Sequence, residues 1–254
     1  MVKALAGWAI LIGLFAGCAQ LPTGSSDSDT VHNAIALDDA SFVEGAVRAG
    51  KLGINDRIRT PGYQEGAPLV VVAARYASLQ VLRYLIAARA DMNARTGIGE
   101  TALMLAAFFN PDDNRVANDR YEQAVRLLVE AGASLENEPN NYTPLAYAAH
   151  QGHNRIVRYL LARGARVDAD AQDGFIYVNT PLMMAAIQGH SDTALWLLRA
   201  GADPRIRVHG GATAVELAMK YNNRNMLGAL RCAESLKSGE TFEQKCAGAV
   251  SLRP

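Results

Sequence analysis

The sequence predicts an all-α solenoid: about six helix-turn-helix repeats stacked in one dimension, with β-hairpin fingers between them. Three observations predict it. The block Thr143-Pro144-Leu145-Ala146-Tyr147-Ala148-Ala149-His150-Gln151-Gly152-His153 matches Thr180-Pro181-Leu182-Met183-Met184-Ala185-Ala186-Ile187-Gln188-Gly189-His190 position by position. Each block is followed by a second apolar run that ends in Gly, Gly164 or Gly201, 21 residues after its Thr. Related blocks open at Pro68, Thr101 and Thr213, so that successive starts lie 33, 42, 37 and 33 residues apart. A period near 33 marks a repeat array. In such an array each helix pair has too little apolar surface to fold alone and is stabilised by its neighbours.

The elements follow in chain order. Lys3 precedes an uncharged, mostly apolar run from Ala4 to Gly17 that ends at Cys18. The run is shorter than the roughly 20 residues needed to span a bilayer, and it has the length of a secretory signal's apolar region. Leu14-Phe15-Ala16-Gly17-Cys18 resembles a bacterial lipoprotein signal, with residues 1–17 as the signal peptide and Cys18 as the lipid attachment point. By that resemblance the protein is an outer-membrane lipoprotein on the periplasmic side, because Ala19 and Gln20 rather than Asp follow the Cys. An uncleaved anchor, or an ordinary signal cut near Ala16 or Ala19 to leave a soluble periplasmic protein, are the other readings of the same segment. Residues 18–29 carry Pro22, Gly24 and several Ser and Thr without apolar periodicity, and read as a tether with a coil span of about 20 Å.

The repeat region is expected over 30–240. A degenerate opening copy lies around Val31 to Gly50, and the connection from Gly50 to Pro68 is long enough for a first finger. Thr143-Pro144 and Thr180-Pro181 are helix starts, an N-cap followed by the residue best tolerated in a first turn. Ala148-Ala149 and Ala185-Ala186 keep the first helix of each pair thin. Gly164 and Gly201 supply the left-handed residue that ends the second.

These features together resemble the ankyrin repeat, with Thr-Pro-Leu opening a short helix, Gly-His before a second helix and Gly-Ala-Asp closing it. Gly201-Ala202-Asp203 carries the closing signature in full, and Arg89-Ala90-Asp91, Gly132-Ala133-Ser134 and Gly164-Ala165-Arg166 carry it in part. The His that follows Thr-Pro-Leu in the family is replaced by Val71, Met104, Ala146, Met183 and Glu216, and His32 alone could occupy it. The resemblance implies fewer polar links between repeats, with apolar stacking kept.

Two copies depart from the period. The Thr101 copy has 31 residues between its Thr and Gly132, and the extra ten form an expected polar loop at 110–119. That loop lacks the spacing of an EF-hand, so its Asp residues do not argue for calcium. Between Gly164 and Thr180, Asp173-Gly174 followed by Phe175-Ile176-Tyr177-Val178 reads as an enlarged hairpin finger whose apolar residues serve either contact or packing. The last copy is short, with a cap segment over 241–254. Cys232 and Cys246 are expected either to pair in an oxidising compartment or to remain two buried thiols. A bridge would close a loop of about 15 residues, worth about 3 kcal/mol by the chain-entropy estimate.

Among 254 residues, 25 Lys and Arg balance 25 Asp and Glu, and half the side chains are hydrophobic. Zero net charge gives no general field for a polyanion, so no nucleic-acid partner is expected. There is no phosphate loop and no nucleophile elbow, and no metal or cofactor is expected. His150 and His153 are explained by their places in the repeat. An enzyme is therefore the least supported reading.

The resemblance implies a protein-binding array, read at the finger tips and at the two residues after the small pair of each first helix. Those are Arg75 and Tyr76, Phe108 and Phe109, His150 and Gln151, Ile187 and Gln188, and Lys220 and Tyr221, with Phe175, Ile176 and Tyr177 on a finger. The row is rich in aromatic and apolar side chains, the usual anchors of interfaces. Phe108 and Phe109 are expected either to face outward with the row or to turn inward under the loop that follows. The partner is expected to be another protein of the periplasm or envelope, with the membrane reached through lipid on Cys18. The role implied is scaffold or activator, with an immunity protein against a periplasmic toxin as the alternative.

Overall fold

A computed structural model describes residues 27–108, 115–136, 142–168, 179–207, 211–246 and 248. Helices dominate and come in consecutive pairs: α1 (Asp27–Ala36) with α2 (Ala40–Arg48), α3 (Leu69–Arg75) with α4 (Leu79–Ala87), α5 (Ala102–Phe108) with α6 (Arg115–Glu130), α7 (Pro144–Gln151) with α8 (Asn154–Ala162), and α9 (Pro181–Gln188) with α10 (Ser191–Arg199). The sixth pair is α11 (Ala214–Lys220) and α12 (Leu227–Glu234), the latter entered through a 3-10 turn at Arg224–Met226. A short α13 (Phe242–Lys245) follows. The first members pack on one another in series, α3 on α5, α5 on α7, α7 on α9 and α9 on α11. The second members form a parallel outer row, α4 on α6, α6 on α8 and α8 on α10.

Local chemistry explains where these helices begin. Thr143 Oγ1 accepts from the Ala146 N–H at 3.2 Å and Thr180 Oγ1 from the Met183 N–H at 3.3 Å, each with Pro in the first turn. Thr213 and Glu216 form a full capping box, the Glu216 side chain accepting from the Thr213 N–H at 2.9 Å. Thr101 caps α5 by accepting from the Met104 N–H.

Left-handed residues recur at two positions along the series of pairs. Nine residues after the block start, the first helix ends in a positive φ at Ala77, Gly152, Gly189 and Asn222, and Asp38 holds the corresponding place in the opening pair. The second helix ends likewise at Gly50, Arg89, Gly132, Gly164 and Gly201. Four of these residues have a Cβ and hold a conformation that disfavours one.

The core is a continuous apolar sheath between the two rows. It runs from Ile35 and Val43 through Leu82, Leu105, Leu128 and Leu160 to Leu198 and Leu230, all fully or almost fully buried. Rings and guanidinium groups add links on the outer row: Arg126 lies 4.4 Å from the Tyr159 ring and Arg158 lies 4.5 Å from Trp196, each stack joining successive pairs.

Polar links join successive pairs at two levels. The Ser78 hydroxyl donates to the Ile35 carbonyl at 2.6 Å, His190 Nε2 to the His150 carbonyl at 3.1 Å, and Asn223 Nδ2 to Ala186 and Ile187 carbonyls at 2.8 and 2.9 Å. At the other level, a side chain just past one pair accepts the backbone N–H just past the next. Asn55 accepts from Asp91, Asn93 from Ser134 and Glu136 from Arg166, each at 2.8 Å, and Asp168 accepts from Asp203 at 3.0 Å. The His-poor repeats are therefore linked by other polar side chains.

Two expectations are adjusted. Asp27 to Asp29, assigned to the tether, belong to α1, where acidic residues suit a first turn. The expected loop at 110–119 is shorter, because α6 begins at Arg115. The connection from Gly50 to Pro68, where a first finger is expected, holds a two-stranded antiparallel ribbon, β1 (Arg57–Thr60) with β2 (Tyr63–Pro68), and a lone bridge joins Arg95 and Thr101. The signal segment, Cys18, Phe109 and the 173–178 finger with Phe175, Ile176 and Tyr177 lie outside the described residues. No helix among the described residues is long and apolar enough to cross a membrane.

The C-terminal segment folds back as a clasp. Cys232 and Cys246 are joined, with Cα atoms 5.8 Å apart, and Phe242 is buried. Arg199 Nε lies 2.6 Å from Glu243 Oε1, tying α13 to α10.

Candidate interaction surface

The recognition positions sit at the ends of the inner helices, where the short first helix stops at its left-handed residue and the chain turns to the outer row. Their exposure changes along the array. At the N-terminal side, Arg75 and Tyr76 are only partly open. Arg75 donates to the Pro61 carbonyl at 3.1 Å and lies over the Tyr63 ring, and its carbonyl accepts from the Tyr121 hydroxyl at 2.8 Å. Burial pushes the Tyr121 phenol up to about 12. Tyr76 packs edge-on against His32 with its hydroxyl 3.3 Å from Nε2. Burial raises the Tyr76 phenol, while burial and the Arg75 charge lower the affinity of His32 for a proton. An outward-facing Tyr76 is therefore not what the fold makes, because the ring is used between the first two pairs.

In the middle of the array, Phe108 is half-buried, edge-on to Tyr147 at 5.4 Å and tilted against His150 at 5.9 Å. His150 Nε2 lies 2.8 Å from Gln188 Nε2, and burial with the nearby His190 lowers its affinity for a proton. The His150 side chain thus bridges two inner helices. Gln151 and Ile187 are half-buried, and Gln188 is exposed.

The C-terminal end is open. Lys220 and Tyr221 are exposed, Tyr221 at 42%, with the Lys220 ammonium 5.5 Å from its ring. The turn at Gly97 to Gly99 also presents Ile98 at 66% exposure.

A second cluster lies deeper and was not among the expected site residues. The Tyr63 hydroxyl donates to Glu100, and Tyr147 packs edge-on to Tyr142 at 6.0 Å. Burial raises the Glu100 carboxyl, opposed by the hydrogen bond from Tyr63. Burial and then the Glu100 charge push the Tyr63 and Tyr147 phenols well above their ordinary value. One signal could have found Tyr147: it is the aromatic member of a column otherwise filled by Val72, Leu105, Met184 and Leu217.

The described residues contain no group of three or more His, Cys, Asp or Glu placed to hold a metal ion. Two depressions are open to solvent. One, of about 400 Å³, is lined by Gly189, Ser191 and Asn222 to Asn225; the other, of about 370 Å³, by Asp29 and Arg59 to Tyr63.

A family model described as ankyrin repeats (3 copies) matches residues 70–173 and 114–208. These spans cover more than half of the chain, and the chain belongs to the ankyrin-repeat family. Its class is that of protein–protein interaction modules. No curated protein matches the sequence.

Proposed function

We propose that this chain is an exported, lipid-anchored protein of the bacterial envelope whose six helix pairs are six ankyrin repeats. They bind a periplasmic partner protein as a scaffold or activator, through the ends of the inner helices and the finger tips. The observation that carries the binding role is the open run at one end of the row, where Lys220 and Tyr221 are exposed and lie outside the contacts that engage Tyr76 and Phe108. Exposed tyrosine is a common anchor at interfaces. The envelope location draws support from the apolar run before Cys18 and from the joined Cys232 and Cys246, since disulfides persist in oxidising compartments. More than one acyl chain on Cys18 would hold the protein firmly at the membrane.

Affinity capture from envelope extracts tests the surface. Tyr221→Ala and Ile98→Ser are expected to lose the partner while Arg83→Ala, on the outer row, retains it. Equal recovery by all three would overturn the proposed face. Mass measurement of the amino terminus tests the anchor: an unmodified wild-type chain recovered in the soluble fraction would rule it out.

A further inference from the structure

The two ends of the stack leave matching positions uncovered. In the inner helices, the second residue of the small pair is Ala74, Ala107, Ala149 or Ala186, each fully buried where the next pair stacks. The last pair has Met219 at that place, 47% exposed. At the opposite end Phe42, on α2, holds the position of Val81, Ile156, Thr193 and Met226, all buried, and the Thr193 hydroxyl donates to Asn154 of the pair before it at 2.7 Å. Phe42 is 39% exposed, and a side chain added at Gly45, nearly one turn further on, would meet nothing within 4 Å. The clasp of α13 packs on α10 and α12, the outer side of the C-terminal end. The rims differ in charge. Exposed Asp39 stands near Phe42, whereas exposed Lys220 follows Met219 and the Arg231 guanidinium lies 3.7 Å from the Met219 sulfur.

We propose that a second copy of this chain stacks its Phe42 end on the Met219 end of the first, so that the array continues head to tail. A repeat array ends stably in solution when its terminal repeats present a polar outer face. Here both ends place a large apolar side chain at the stacking position instead. Methionine suits such a contact because its flexible chain fills an irregular gap. The acidic and basic rims set the polarity of the junction. The two faces are different, so the contact is heterologous, and assemblies lengthen with concentration unless the rotation closes a ring. The inference is independent of which partner reads the inner helices.

Sedimentation velocity of the full-length chain in mild detergent, across the micromolar range, tests it. The wild type is expected to gain mass with concentration, and Phe42→Glu and Met219→Glu each to stay monomeric where the wild type assembles. Mixed in equal amounts, the two variants are expected to form a one-to-one dimer and nothing larger, because each supplies the end the other lacks. Circular dichroism melting shows that each variant is folded, and Phe42→Ser and Met219→Ser replace any that is not. A wild type that stays monomeric, a single variant that still assembles, or a mixture that stays monomeric would each overturn the proposal.

Discussion

Asp168 accepts a hydrogen bond from the backbone N–H of Asp203 at 3.0 Å, and so ties the end of the fourth helix pair to the end of the fifth. The three equivalent links before it use Asn55, Asn93 and Glu136. Asp168 is the aspartate of the series, and burial pushes its carboxyl up to about 6.

The sign of its pH dependence follows from that direction. Between pH 3.8 and about 6 the folded chain holds a proton there that the unfolded chain has released. Its contribution is therefore present at low pH and lost as pH rises through about 6. Asp168→Asn keeps the acceptor oxygen and removes the charge. It is expected to raise stability at pH 7 by on the order of 1–2 kcal/mol, discounted for partial exposure, with the gain vanishing near pH 4. Urea unfolding at the two pH values measures this, and a loss at pH 7 would show that the charge itself stabilises the link.

Among the described glycines, Gly152 makes a tight approach to a neighbouring pair: its φ is 72° and an added Cβ would lie 2.6 Å from His190 Nδ1. Gly152→Ala adds backbone strain and displaces the ring that donates to the His150 carbonyl. The expected cost is about 2–4 kcal/mol. Gly164→Ala serves as comparison: its φ is also positive but its Cβ would meet nothing within 4 Å, so about 1–2 kcal/mol is expected. Equal costs in chemical denaturation would remove the His190 contact from the explanation.

Arg89 holds the place that Gly132, Gly164 and Gly201 hold in later pairs, at a φ of 59° and exposed to solvent. Arg89→Gly relieves the left-handed strain and loses some of that gain to the greater freedom of glycine in the unfolded chain. A net rise of about 0.5–1 kcal/mol is expected, read as a higher thermal midpoint.

Much of this architecture was legible in the sequence because most repeats mark an opening Thr or Pro and a closing Gly. The left-handed sites at Asp38, Ala77 and Asn222 were not, since no glycine marks them and only alignment to Gly152 and Gly189 shows the shared conformation. The surface was harder to read. Tyr76 and Phe108 occupy recognition positions, yet His32, Tyr147 and His150 reach them from neighbouring pairs, and such contacts between repeats leave no local pattern. Tyr63 and Glu100 likewise meet across 37 residues. The outer stacks of Arg126 on Tyr159 and Arg158 on Trp196 are periodic only when the pairs are superposed from their closing glycines.

The C-terminal clasp makes the last prediction a local one. In a one-dimensional stack each pair contacts only its neighbours, so loss of a link near the end is felt there first. Cys232→Ser with Cys246→Ser opens a loop whose closure is worth about 3 kcal/mol in the chain-entropy estimate. The Arg199–Glu243 pair, at 2.6 Å, still joins α13 to α10, but it is partly exposed and so contributes little. Buried Phe242 then loses its tie to α12. Amide exchange is expected to speed up in α12 and α13 while α5 to α8 keep wild-type protection. A uniform loss across all the helices would show that the array unfolds as one unit and that the clasp stabilises the whole of it.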